Sequence, residues 1–111
     1  MPLQSFNTTI TNLHSLFDND KREVEKILSL LAIRLEQLQT CFERKNIEEI
    51  KIEAHKIKSE LAVCGFEELS AQASQIEMLA RENQIVRSKI VEFNSAADEL
   101  VLEIEKYLAA E

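Results

Sequence analysis

His55, Lys58 and Ser59 bring an imidazole, an ammonium and a hydroxyl within one short stretch of chain, and these are groups that can receive and hold a phosphoryl group. At about 100° per residue, the apolar stripe of this segment centres near Ile50, Ile57 and Leu61, which leaves His55 roughly 130° away and facing solvent. Lys51, Lys58, Ser59 and Ala62 share its face, with Lys58 at i+3 and Ser59 at i+4 as its immediate helical neighbours. A neutral imidazole offers a ring-nitrogen lone pair that can attack phosphorus, and a lysine one turn away can balance the charge of the transferred oxygens. From this local spacing alone, an ordinary surface histidine on a charged helix is the favoured reading.

The rest of the chain offers little competing chemistry. One glycine in 111 residues cannot build a phosphate-cradling loop. Cys41 and Cys64 have no Cys or His nearby at metal-ligand spacing, so they read as reduced packing residues and no metal site is expected. The other histidine, His14, has no lysine at i+3 and reads as a surface residue, and Tyr107 reads as packing with its hydroxyl at the edge. Thirteen Lys and Arg against 20 Asp and Glu, a net charge of −7, leave no footprint for a nucleic-acid backbone. No apolar run approaches the roughly 20 residues of a membrane span, and Met1 is not followed by a basic stretch and an apolar signal core. The expectation is a soluble, cytoplasmic protein with no nucleic-acid partner and no membrane insertion.

The elements that must position His55 follow from the apolar spacing. Near absence of glycine and proline disfavours β folds, and apolar residues recur at steps of three and four. Val24, Ile27 or Leu28, Leu31, Leu35, Leu38 and Phe42 form one stripe, opened by a capping box at Asp20 and Glu23, predicting a helix over about 20–44. Asn46 with Glu49 opens a second helix, about 46–64, whose stripe is Ile47, Ile50, Ala54, Ile57, Leu61 and Cys64 and which ends where Gly65 can take the left-handed cap conformation. Phe66, Leu69, Ala73, Ile76 and Ala80 predict a third helix over about 66–83. Val86, Ile90, Phe93, Ala97, Leu100, Ile104 and Leu108 predict a fourth over about 85–109. Short connections make consecutive helices antiparallel neighbours, so the chain is expected to be a single all-α domain over residues 1–111, an up-and-down four-helix bundle. Phe6, Ile10, Leu13 and Phe17 add a short amino-terminal helix, about 7–17, across one end.

With these elements in place, the chain resembles the histidine-containing phosphotransfer (HPt) domains of two-component phosphorelays. Ala54-His55-Lys56-Ile57-Lys58-Ser59 fits that family's pattern of alanine, histidine, any residue, an aliphatic, lysine and a small residue. Gly65, Leu69 and Ile76-Glu77 follow in the family's register, so the resemblance covers nearly the whole chain. Glu60 and Leu61 stand where small residues are usual, and Phe66 where alanine is common.

The resemblance implies that His55 is the phosphoacceptor and that Lys58 stabilises the phosphoryl group. Ser59 replaces the more frequent glycine but stays small, and its hydroxyl can donate to a phosphoryl oxygen. Glu77 matches a position whose side chain accepts a hydrogen bond from the imidazole and so orients it; the alternative is a solvated glutamate beside the core. Arg81, one turn later, matches a basic position near the site or is a plain surface charge. The implied function is a phosphorelay intermediate that is not an enzyme in itself. It needs no cofactor, and magnesium is expected on the partner only. The implied partners are response-regulator receiver domains, including that of a hybrid histidine kinase, engaged by a monomer. Ile52 and Val63 lie on the side of His55 away from the main stripe and, with Lys51 and Ala62 on its face and Leu13 and Leu16, are candidate docking residues; alternatively Ile52 and Val63 pack beneath the amino-terminal helix. Competing functions are the dimerisation and phosphoacceptor domain of a sensor kinase, which typically has an acidic residue after the histidine and often a proline nearby where this chain has Lys56 and no proline, and a helical binding module that is never phosphorylated.

Overall fold

The apolar stripes fold into five helices: α1 (Phe6–Leu16), α2 (Lys21–Arg44), α3 (Ile47–Cys64), α4 (Glu67–Arg81) and α5 (Arg87–Ala109). The computed structural model describes residues 6–110; the amino-terminal residues behind the Met1 reading lie outside them. A 24-residue helix is about 36 Å long, and α2 accordingly sets the long dimension of a body measuring 42 × 22 × 21 Å. Among the described residues there is no strand, and no helix is long and apolar enough to cross a membrane.

Each long helix packs against two others, α2 against α3 and α5, and α4 against the same two. The ring closes because every stripe has a partner surface. Leu28, Leu31, Leu35 and Leu38 from α2 meet Ile50, Ile57 and Leu61 from α3, Leu69 and Ala73 from α4, and Phe93, Leu100 and Ile104 from α5 in one buried core. Of the two candidates for the second step of the α2 stripe, Leu28 is fully buried and Ile27 only partly. Phe42 meets Phe93 edge to face, with ring centroids 6.0 Å apart. Both cysteines are free and buried. Desolvation, with Glu60 adding to it, pushes the Cys64 thiol up to about 11, which makes it a poor nucleophile suited to packing.

Local chemistry sets the helix ends. The Asp20 carboxylate accepts from the backbone N–H groups of Arg22 and Glu23, and the Asn46 side chain accepts from that of Glu49, so both amino-terminal caps read in the sequence form. Two boundaries differ from the periodicity by two residues, the others by one at most. α4 stops at Arg81, before Asn83 takes a left-handed φ of 63°, and α5 starts at Arg87 because Val86 remains extended.

α1 lies over the α3–α4 turn and the last turns of α5. Phe6 stacks on Phe66 and meets Tyr107 edge-on, with both centroid separations 6.3 Å. The surface assignment of His14 is corrected here. Its Nε2 and the Tyr107 hydroxyl share a 2.8 Å hydrogen bond in a half-buried site, a contact between residues 93 apart that no local pattern encodes. Leu13 is likewise corrected. At 2% exposure it belongs to the core, so it is not available to a docking partner, whereas Leu16 is exposed.

Gly65 ends α3 at φ 91°, and its N–H reaches the carbonyls of Ala62 and Leu61. A Cβ there would make only ordinary contact, 3.5 Å from Thr9 Cγ2, so the cost of a side chain is confined to the backbone torsion. Gly65→Ala is expected to lower stability by about 1–2 kcal/mol and the melting temperature by several degrees, read by thermal and urea unfolding.

Candidate functional site

His55 and Lys58 stand one turn apart on α3, and Glu77 and Arg81 one turn apart on α4. The two helices are fastened beside this point by Ser70 of α4, whose hydroxyl donates to the main-chain carbonyl of Lys58 at 2.8 Å. Sequence reasoning missed this bond, since a serine on an amphipathic helix carries no signal for a carbonyl on its neighbour. Its effect is to fix the register of Lys58 against the helix that supplies Glu77.

Glu77 is the centre of the arrangement. Its side chain is 4% exposed, an unusual place for a carboxylate, and three groups converge on it. Lys58 Nζ donates to Oε1 at 2.7 Å. Arg81 donates to Oε2 through Nη2 at 2.8 Å and Nε at 3.2 Å, and His55 Nδ1 lies 2.8 Å from Oε2. Burial on its own would raise the pKa of this carboxyl; the hydrogen bonds from Lys58, Arg81 and His55 outweigh it and lower the value from 4.5 to about 2. The carboxylate is therefore ionised throughout the neutral range.

An ionised carboxylate has no proton to give, so the proton of the His55–Glu77 hydrogen bond sits on Nδ1. In the neutral ring this makes Nε2 the bare lone pair. The imidazole is 57% exposed, so that lone pair meets the solvent instead of the core. The arrangement can present an oriented nitrogen nucleophile to an electrophile brought from outside, with two cations within reach.

The basic character of the face is smaller than the sequence suggests. Lys51 pairs with Glu48 at 3.1 Å and Lys56 with Glu53 at 3.8 Å, both one turn back along α3, so each of the three lysines around the histidine already has a carboxylate. Ser59, Ala62, Ile52 and Val63 are exposed on α3; Ile52 and Val63 do not pack beneath α1, and Val63 reaches 66% exposure. Beside them an apolar groove of about 330 Å³ opens between α2 and α3, lined by Ile27, Leu30, Leu31, Ser59, Val63 and Cys64 and spanned by an Arg34–Glu60 ion pair at 2.8 Å. Its α2 wall was missed, although the exposed Leu30 stands off the apolar stripe and carries a weak signal of a second surface.

The site is thus a histidine displayed on a helical bundle above a buried, cation-paired carboxylate. The sequence model of the Hpt domain matches residues 3–110, nearly the whole length, and the chain belongs to the Hpt domain family. Hpt domains are histidine phosphotransfer modules of phosphorelays; they act as phosphocarriers and interact with response-regulator receivers. Comparisons with curated proteins and with solved structures return no match.

The charge on Glu77 makes a contribution to stability whose pH dependence has a definite sign. Because the folded-state pKa is depressed, the contribution is present above pH 4.5 and is lost as pH falls towards 2. A drop from 4.5 to about 2 corresponds to roughly 3 kcal/mol. In urea unfolding at a series of pH values, the wild type is expected to lose about that much more stability than Glu77→Gln across this window; parallel curves would remove Glu77 from the acid response.

Proposed function

We propose that this chain carries a phosphoryl group on Nε2 of His55, accepting it from the phospho-aspartate of one receiver domain and passing it to another. The observation that carries the reading is the 2.8 Å contact between His55 Nδ1 and Glu77. It holds the proton on the inner nitrogen and leaves the outer one as nucleophile. In the loading step the Nε2–P bond forms while the bond from phosphorus to the aspartate oxygen breaks, and its electron pair stays on that carboxylate. Lys58 neutralises charge on the phosphoryl oxygens, Ser59 leaves room for the group and offers a hydroxyl, and Arg81 secures Glu77. Positioning and charge neutralisation supply most of the rate in such transfers.

The chain needs no cofactor of its own in this reading, and the magnesium ion of the reaction stays on the receiver. The ring of long helices works as an antiparallel up-and-down bundle in a cytoplasmic monomer. Ile52, Ala62 and Val63, with Lys51 and Leu16 at the margin, form the surface on which the receiver seats its phospho-aspartate over the histidine.

Incubation with a phosphorylated receiver domain is expected to leave acid-labile, base-stable phosphate on the wild type and none on His55→Gln; equal labelling of the two would defeat the assignment. Lys58→Ala removes one of the two cations on Glu77 and should be less stable than the wild type, yet remain folded because Arg81 stays on the carboxylate; it should transfer about tenfold more slowly or worse, a loss of about 1.4 kcal/mol of transition-state stabilisation. Val63→Asp places a charge on the docking surface and is expected to raise the receiver concentration for half-maximal transfer by about tenfold, measured from initial rates at varied receiver.

A further inference from the structure

Before any phosphoryl group arrives, Glu77 already has two cations. Lys58 holds Oε1 at 2.7 Å, and Arg81 holds Oε2 at 2.8 and 3.2 Å beside the His55 ring. The ammonium that would neutralise a phosphoryl group on His55 is thus the one already engaged by a buried carboxylate. An ammonium has three N–H donors but a single charge, and it cannot fully compensate two anions at once. Drawing Lys58 outward would leave Glu77 with one cation, and a buried carboxylate short of compensation is costly.

Phosphorylation itself supplies a replacement. Nε2 forms its bond to phosphorus with the ring lone pair, the donor's leaving group departs with the electrons of the broken bond, and the proton on Nδ1 stays where Glu77 holds it. The ring, neutral before the step, then carries a positive charge 2.8 Å from Oε2. We infer that loading exchanges the cations on Glu77: the phosphorylated imidazole takes over the charge compensation that Lys58 provided, and the Lys58 ammonium is released to the phosphoryl oxygens, while Arg81 remains on the carboxylate throughout. This rests on His55 being the phosphoacceptor. Glu77 is then a positioning residue whose charge couples the state of the ring to the position of the lysine, a coupling that a neutral hydrogen-bond acceptor at the same place would lack.

The experiment follows the side-chain ammonium and ring resonances of the full ¹⁵N-labelled chain by NMR, before and after loading with phosphoramidate, whose P–N bond breaks as ammonia leaves. Lys58→Arg identifies the Lys58 signal. In the wild type the Lys58 ammonium should be protected from water exchange in both states and shift on loading, the Arg81 Nε signal should stay in place, and the Nδ1 proton should persist. In unloaded Glu77→Gln the Lys58 ammonium should exchange about tenfold faster than in the wild type, the loss expected when a charged acceptor is removed, and loading should restore its protection. A loaded wild type in which Lys58 does not shift, in which Arg81 moves in its place, or in which the Nδ1 proton is lost overturns the exchange and leaves the phosphocarrier reading intact. Absence of an N-phosphate ³¹P signal on His55 with both phosphoramidate and a phosphorylated receiver overturns the reading and the exchange together. If Glu77→Gln does not fold, the wild-type shifts decide the matter.

Discussion

A carboxylate almost wholly removed from water must be compensated where it stands, and at Glu77 the compensation comes from two helices at once. Arg81 is supplied from one turn along α4, whereas Lys58 and His55 reach across from α3. The charge can therefore be satisfied only if α3 and α4 keep one register and one rotation about their axes. Apolar packing tolerates small slides between helices, but a buried anion with charged donors near 2.8 Å does not, because desolvation makes each lost contact expensive. Ser70 enforces the same register through the main chain, so the precision of the site is carried by the backbone of α3 as well as by side chains.

This division between packing and polar fastening explains what could be read from the sequence. Helix existence, the Asp20 and Asn46 caps and the Gly65 stop are local properties, decided within a turn or two of chain, and all of them formed. The outward direction of His55 was legible for the same reason, since it depends only on the angle between that residue and the apolar stripe of its own helix. Glu77 was placed by its register in the family pattern, with a solvated side chain as the competing possibility. Its burial depends on where α4 sits against α3, which no single-helix projection contains.

The misassignments on α1 share that cause. Leu13 and Leu16 both stand on the short helix α1, and only its seating over the α3–α4 turn buries one and exposes the other. His14 finds Tyr107 because the first and last helices meet there. The basic cluster around His55 was legible as lysines, but their pairing with Glu48, Glu53 and Glu77 was overlooked. Two of those pairs are plain i,i+3 neighbours, so the signal was present in the sequence.

The open position of the His55 ring also bears on time. A histidine in a cleft would be dehydrated by its own protein. Here more than half of the side chain stands in water, and shielding arrives only while a partner covers the face. Were His55 to carry a phosphoryl group as proposed, that group would be open to attack by solvent between partners, and the message it represents would fade unless handed on. On the proposed reading, the exposure that would let different receivers reach one nitrogen gives the relay a finite memory, with a clock set by the chemistry of one bond and by the rate at which partners meet.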